Sequence, residues 1–272
     1  MLALVAGGGV LLTAAGAAGI AVVAHNSTKP QPQPSVTSRP SPPPLNQVRL
    51  WSPGGGGGGG GGGGSSISLS NVYLQTKGGI TMASDPLGVH GQVIRVLADP
   101  SHSIMTPHAA GPRSEMMTRY GLSPGGTHTI QFKFLSVQPN PDATFFQILD
   151  WSTKQTQDRV KLGMSPGGAY TLACRTSATE SSPAVLKNLN GTWAGDVGRW
   201  TEWRIVFKRD TAAGYVQVYK DGQLLGSVQG VATMYSEGLS DPNAHAKFGQ
   251  YKHSVVPPTT VYFTDISIIS IT

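Results

Sequence analysis

The sequence predicts an all-β sandwich of the jelly-roll kind, and three observations carry that reading. From Ile67 onward apolar residues recur at every second position within short runs. Clusters of turn-forming residues separate those runs, and no long stretch keeps the 3.6-residue period of an amphipathic helix. Many strands at short spacing bury one face each, and packing two sheets together is the simple way to do so.

Three segments follow in order, with boundaries at residues 1–25, 26–66 and 67–272. In the first, Leu2 to Ala24 is an unbroken apolar run but for one Thr. It is long enough to cross a bilayer as a helix, and Val22-Val23-Ala24 offers small residues for cleavage. It therefore fits a signal peptide and a membrane anchor alike, and either makes the protein secreted or extracellular. The second segment carries Lys29-Pro30-Gln31-Pro32-Gln33-Pro34, prolines from Pro40 to Pro44, and glycine from Gly54 to Gly64. Such composition buries too little apolar surface to offset its ordering entropy, so it reads as a disordered linker. Asn26-Ser27-Thr28 and Asn190-Gly191-Thr192 match the glycosylation sequon, a short and common pattern.

The third segment supplies the strands. They are expected at Gln92–Leu97, Thr127–Leu135, Thr144–Trp151, Arg159–Met164, Tyr170–Arg175, Thr201–Lys208, Tyr215–Lys220, Ala246–His253 and Thr260–Ile271. In Trp203-Arg204-Ile205-Val206-Phe207, the apolar side chains share one face. Ser123-Pro124-Gly125-Gly126 and Ser165-Pro166-Gly167-Gly168 read as turns between strands, and Asp221-Gly222 as a tight hairpin. A short helical turn is expected only within 232–240.

Charge narrows the function. The net charge is +6, split evenly between the first 66 residues and the rest. The domain has no Lys/Arg run that would track a phosphate backbone, so nucleic acid is excluded. A mild positive balance suits an anionic glycan. Cys174 is the single cysteine, so no intrachain disulfide forms, and it packs as a small apolar residue. Trp193, Trp200 and Trp203 are expected in the core, and His102, His128 and His253 at the surface. No strand shows the closely spaced carboxylate pair of a glycoside hydrolase.

Three polar insertions into strands stand out. In Arg113-Ser114-Glu115, alternation puts Arg113 and Glu115 on one face. Gln147 breaks an apolar run that continues to Leu149 and Trp151. In Lys247-Phe248-Gly249-Gln250-Tyr251, an ammonium and a phenol share a face, with a glycine clearing space between them. The plain readings are a cross-strand ion pair, a core amide satisfied by backbone, and a tyrosine packed at a sheet edge.

These segments resemble the signatures of the jelly-roll polysaccharide lyases, the group of alginate, glucuronan and heparin I-type lyases. The group carries an Arg-Ser/Thr-Glu-Leu strand, a Gln-x-His strand and a Lys-x-Gly-x-Tyr strand. Arg113-Ser114-Glu115, Gln147 and Lys247 to Tyr251 occur in that order, with Trp200-Thr201-Glu202-Trp203, Asp221-Gly222 and Val261 to Asp265 flanking them similarly. The resemblance implies a concanavalin-like jelly roll that acts on an acidic polysaccharide by β-elimination, as a monomer and without a cofactor. A structural Ca²⁺ in a loop would be compatible with it. Arg113 and Gln147 would mask the uronate carboxylate, Tyr251 would handle the proton, and Lys247 would add positive charge. Glu115 and His108 would lie against the substrate. The chain departs from the pattern at Leu149, where the group has its histidine; His108, His90 and His245 are candidates to replace it. The departure also motivates a binding module or surface adhesin that keeps the fold without the chemistry, and the apparent stalk allows a structural surface protein.

Overall fold

A computed structural model describes residues 46–51, 72–74, 79–100, 112–151, 156–179, 184–236, 243–253 and 257–272. The apolar segment 1–25, most of the proposed linker, His102 and His108 lie outside the described residues.

The described residues form fifteen strands and one 3-10 turn, Ala194–Asp196. The strands are β1 (Asn46–Trp51), β2 (Val72–Leu74), β3 (Ile80–Ser84), β4 (Gln92–Ala98), β5 (Arg113–Thr118), β6 (Thr127–Ser136), β7 (Ala143–Trp151) and β8 (Thr156–Met164). They continue with β9 (Ala169–Arg175), β10 (Ala184–Thr192), β11 (Thr201–Lys208), β12 (Gly214–Lys220), β13 (Gln223–Val231), β14 (His245–Lys252) and β15 (Thr259–Ile271). All described ladders are antiparallel. One sheet runs β13-β12-β11-β6-β15-β4-β3, with β1 also on β15; the other runs β10-β9-β8-β7-β14-β5-β2. The fold is the expected two-sheet jelly roll.

The alternation read from the sequence is the alternation of burial. Trp203, Ile205 and Phe207 are fully buried, with half-buried Arg204 and Val206 between them. A ring cluster joins the two sheets. Phe132 of β6 stacks on Phe146 of β7 at 5.5 Å and meets the edge of Phe248 of β14 at 5.3 Å. Phe134 stacks on Phe145 at 4.7 Å. Such pairs add about 0.5–1.5 kcal/mol each beyond their area burial. Phe145 and Phe146 are both buried, and a register shift falls between Thr144 and Phe146. This irregularity sets which face the next residue, Gln147, occupies.

Several expectations are adjusted by the structure. Asp221 and Gly222 both have positive φ, 49° and 80°, as a two-residue hairpin between right-twisted strands requires. Ser165 to Gly168 is also a hairpin turn, closed by Gly168 N–H donating to Ser165 O at 3.1 Å. The Ser123 to Gly126 turn instead lies on a crossover and leads into β6, since β5 and β6 belong to different sheets. β1 falls within the stretch read as linker; it pairs with Ile266 to Ser270 of β15, with a register shift between Arg49 and Trp51. Residues 232–236 form no helix. His128 is fully buried, not at the surface: its Nδ1 lies 2.8 Å from Ser270 Oγ and its Nε2 3.0 Å from Ser123 O. Trp193 and Trp203 are buried as expected, whereas half-buried Trp200 points its Nε1 at the Asp85 carboxylate.

Candidate functional site

Three strands of the seven-stranded sheet, β5, β14 and β7, lie side by side in that order. Their inward residues, Met116, Phe248, Phe146 and Ile148, belong to the core. Residues of opposite parity therefore turn to the outer face. Registry does the rest: Tyr251 lies across from Arg113, Gly249 from Glu115, and Lys247 from both Met117 and Gln147.

Glu115 is the hub. Only 2% exposed, it accepts from Gln147 Nε2 through Oε1. Its Oε2 lies 3.2 Å from Arg113 Nε and 3.3 Å from Lys247 Nζ. Burial pulls the Lys247 ammonium below its ordinary pKa, opposed by the charge of Glu115. The Arg113 guanidinium lies over the Tyr251 ring, 4.0 Å from its centroid. Arg113, Glu115, Gln147, Lys247 and Tyr251 thus converge. The Arg113–Glu115 ion pair expected on plain grounds is present, but within a larger cluster. The Gln147 amide bonds a side chain instead of backbone.

Gly249 has a different use from clearing space between Lys247 and Tyr251. At φ 151°, a Cβ there would sit 2.2 Å from Ser114 O and 2.7 Å from Glu115 Cα. The missing side chain lets the β14 backbone press against β5. Beside it, a register shift against β7 falls between Phe248 and Tyr251.

What turns Tyr251 outward was not legible beforehand. Its neighbours Gln250 and Lys252 are anchored inward, both essentially unexposed. Gln250 Nε2 donates to Val96 O and Thr259 O, each at 2.9 Å, and its Oε1 accepts from Asn140 Nδ2 and Thr259 Oγ1, each at 2.8 Å. Lys252 Nζ donates to Asn140 Oδ1 and Pro141 O, each at 2.6 Å, and burial lowers its pKa to about 8. Both side chains point to one face, so strand alternation gives the phenol the other. The polar run Gln250-Tyr251-Lys252-His253 at the end of an apolar strand was the only trace of this in the sequence.

The histidines divide clearly. Leu149 is 5% exposed and lies across the ladder from His245. His245 Nδ1 is 2.9 Å from Thr118 O; a carbonyl only accepts, so Nδ1 carries the proton. His90 lies against Trp200 at 5.0 Å, next to the other sheet. His253 is exposed, as expected, yet it borders the site. Its ring lies 4.7 Å from that of Tyr251, and its Nε2 is 3.0 Å from Thr144 Oγ1. The residue is exposed overall, but its ring packs against Tyr251, and this partial desolvation, ahead of any charge effect, lowers its pKa.

A family model for polysaccharide lyases matches residues 70–267, which include every member of this cluster. The chain belongs to the polysaccharide lyase family. Solved structures agree in fold. An endo-β-1,4-glucuronan lyase from the fungus Trichoderma reesei is 12% identical with a TM-score of 0.60, over 75% of this chain and 92% of that one. Alginate lyase A1-II′ is 18% identical with a TM-score of 0.52, over 69% and 82%. Alginate lyase vAL-1 from a Chlorella virus is 9% identical with a TM-score of 0.52, over 72% and 91%. No curated protein sequence matches this lyase-family chain.

Proposed function

We propose that this lyase domain cleaves a uronate-containing polysaccharide by β-elimination on the outer face of the seven-stranded sheet. The observation that carries the proposal is the meeting of Arg113, Gln147, Lys247 and Tyr251 around one buried carboxylate. Glu115 holds the Arg113 guanidinium and the Gln147 amide on the same face, and each has further N–H groups with which to donate to a sugar carboxylate. Neutralising that carboxylate acidifies the C5 proton next to it. Tyr251, acting as its phenolate, accepts this proton. The C5 electron pair forms the C4=C5 double bond as the C4–O bond breaks, and the leaving oxygen takes the proton back from the Tyr251 hydroxyl, which restores the phenolate. The products are a new chain end and an unsaturated sugar. The step is redox-neutral and draws on no cofactor; a structural Ca²⁺ elsewhere would take no part.

The decisive test is the absorbance of the unsaturated product when the full chain is mixed with glucuronan, alginate or heparin-type polymers. Wild-type protein generates it on at least one of them. Tyr251→Phe lowers the rate by about 10²- to 10⁴-fold, as for loss of a positioned acid–base group, with an unchanged urea midpoint. Absence of product on all three, across pH and with added calcium, overturns the proposal. We place the domain outside the cell, as a monomer exported through residues 1–25 and carried on the stretch that precedes β1.

A further inference from the structure

β10 ends the strand order of the seven-stranded sheet, with β9 on one side of it. An edge of this kind is a template for pairing with another chain unless charge, a bulge or a cover blunts it. Charge does little at β10. Leu186 is 67% exposed and Val185 41%, and the one charged residue of the strand, Lys187, leans away to donate to Ser227 O of β13 at 3.0 Å.

The far end of the strand is bulged. Asn188 pairs with Thr171 and Thr192 with Ala169, so Leu189, Asn190 and Gly191 stand against Tyr170 alone. Leu189 enters the core. Gly191 has a positive φ, 112°, that a side chain would resist. Asn190 and Thr192, on either side of that glycine, are exposed. These three residues are the sequon Asn190-Gly191-Thr192. A chance match can fall inside a buried strand, where the folded domain has no room for a sugar. This one falls on a protruding bulge at the rim of a sheet, where a bulky polar group stands in water. Leu186 is four residues back, at most roughly 13 Å along an extended strand, which a branched oligosaccharide of several units spans.

We propose that Asn190 is an N-glycosylation site and that its glycan shields the apolar edge of β10. The co-substrate is a lipid-diphosphate-linked oligosaccharide. The Asn190 amide nitrogen attacks its anomeric carbon; the new N–C bond forms as the C–O bond to the diphosphate breaks, the electron pair leaves on that oxygen, and the amide proton passes to the transferase. The inference rests on the export reading above and is independent of the lyase chemistry. In the test, the full chain is translated with microsomal membranes that hold this transferase and donor, and the chain protected from added protease is digested with trypsin. Peptide 188–199 carries the mass of an oligosaccharide in wild type and in Thr192→Ser, and loses it in Asn190→Gln and Thr192→Ala. Sedimentation of the full chain purified from eukaryotic secretory cells reads the shielding. Wild type runs as a monomer, Asn190→Gln self-associates with an unchanged urea midpoint, and Asn190→Gln combined with Leu186→Lys returns to the monomer. A protected chain with Asn190 bare overturns this inference and leaves the export reading standing, whereas a chain that is never protected overturns both. A glycosylated wild type beside an equally monomeric Asn190→Gln overturns the shielding.

Discussion

Glu115 and Asp150 are near neighbours in kind and opposites in setting. Each is a buried carboxylate gripped by two cations: Arg113 and Lys247 for Glu115, Arg159 and Arg209 for Asp150. Around Asp150 all three side chains are fully buried. Asp150 Oδ2 lies 2.9 Å from Arg159 Nε, and Oδ1 lies 2.8 Å from Arg209 Nη2. The excess positive charge is absorbed by fixed protein groups, as Arg159 donates to Ser177 O at 2.7 Å, Arg209 donates to Leu122 O at 3.0 Å, and the Tyr235 ring lies 3.5 Å beneath Arg159. This cluster ties β7 to the residue following β11 in the other sheet. Around Glu115, by contrast, Arg113 keeps 25% of its side chain exposed and lies on the phenol of Tyr251. Two cations against one anion make a staple when sealed, and an anion-seeking surface when one side is left open.

The comparison can be broken most forcefully at Asp150. Asp150→Ala strands two guanidinium groups with no water to turn to, and costs about 3–5 kcal/mol. Urea unfolding checks this, and a loss below about 1 kcal/mol would show that the cluster is no staple. Next comes Gly249→Ala, which forces a side chain into the β5 backbone at a positive φ and costs about 2–4 kcal/mol. It also drives β14 away from β5, so elimination activity falls with stability. Glu115→Gln ranks third, at about 1–2 kcal/mol, because solvent reaches the partly exposed Arg113 guanidinium and the amide still accepts from buried Lys247. Its larger effect is on turnover, roughly hundredfold, since Arg113 and Gln147 lose their common anchor. A Glu115→Gln protein that unfolds as readily as Asp150→Ala but retains its turnover would erase the distinction between the two clusters.

The smallest expected effect concerns pH, at His128. Burial, ahead of the nearby Arg209 charge, lowers its pKa in the folded state. In the unfolded chain it titrates at about 6.5. Above that value both states are neutral there and stability is intact. As pH falls below it, the unfolded chain binds the proton first, so stability declines toward the folded pKa. Urea midpoints measured from pH 8 to pH 5 drop on the acidic side, and His128→Gln shows a shallower drop. Equal slopes would assign acid sensitivity to other groups.

The open cluster and the sealed one were unequally visible in the sequence. Arg113, Glu115, Gln147, Lys247 and Tyr251 could be picked out because they put polar groups inside strands, Gln147 by breaking an apolar run, and because their order matches a family pattern. Asp150, Arg159 and Arg209 break the apolar logic of a core, and nothing local says they meet. The replacement of the family histidine by Leu149 was plain to read. That His253 lies beside Tyr251 was not, since this depends on where β14 ends relative to β7.

By itself the sequence determined what depends on backbone geometry within a few residues. That includes the period of two that gives each strand a buried face, the left-handed pair Asp221-Gly222, and which side chains share a strand face. The tertiary structure alone decided what depends on registry between distant strands. The close approach at Gly249, the slip beside Phe145, and the inward anchoring of Gln250 and Lys252 on groups more than a hundred residues away for Val96 and Asn140 set that registry. A shift of one residue in any strand reverses its faces, so no single stretch of chain could fix how these side chains meet.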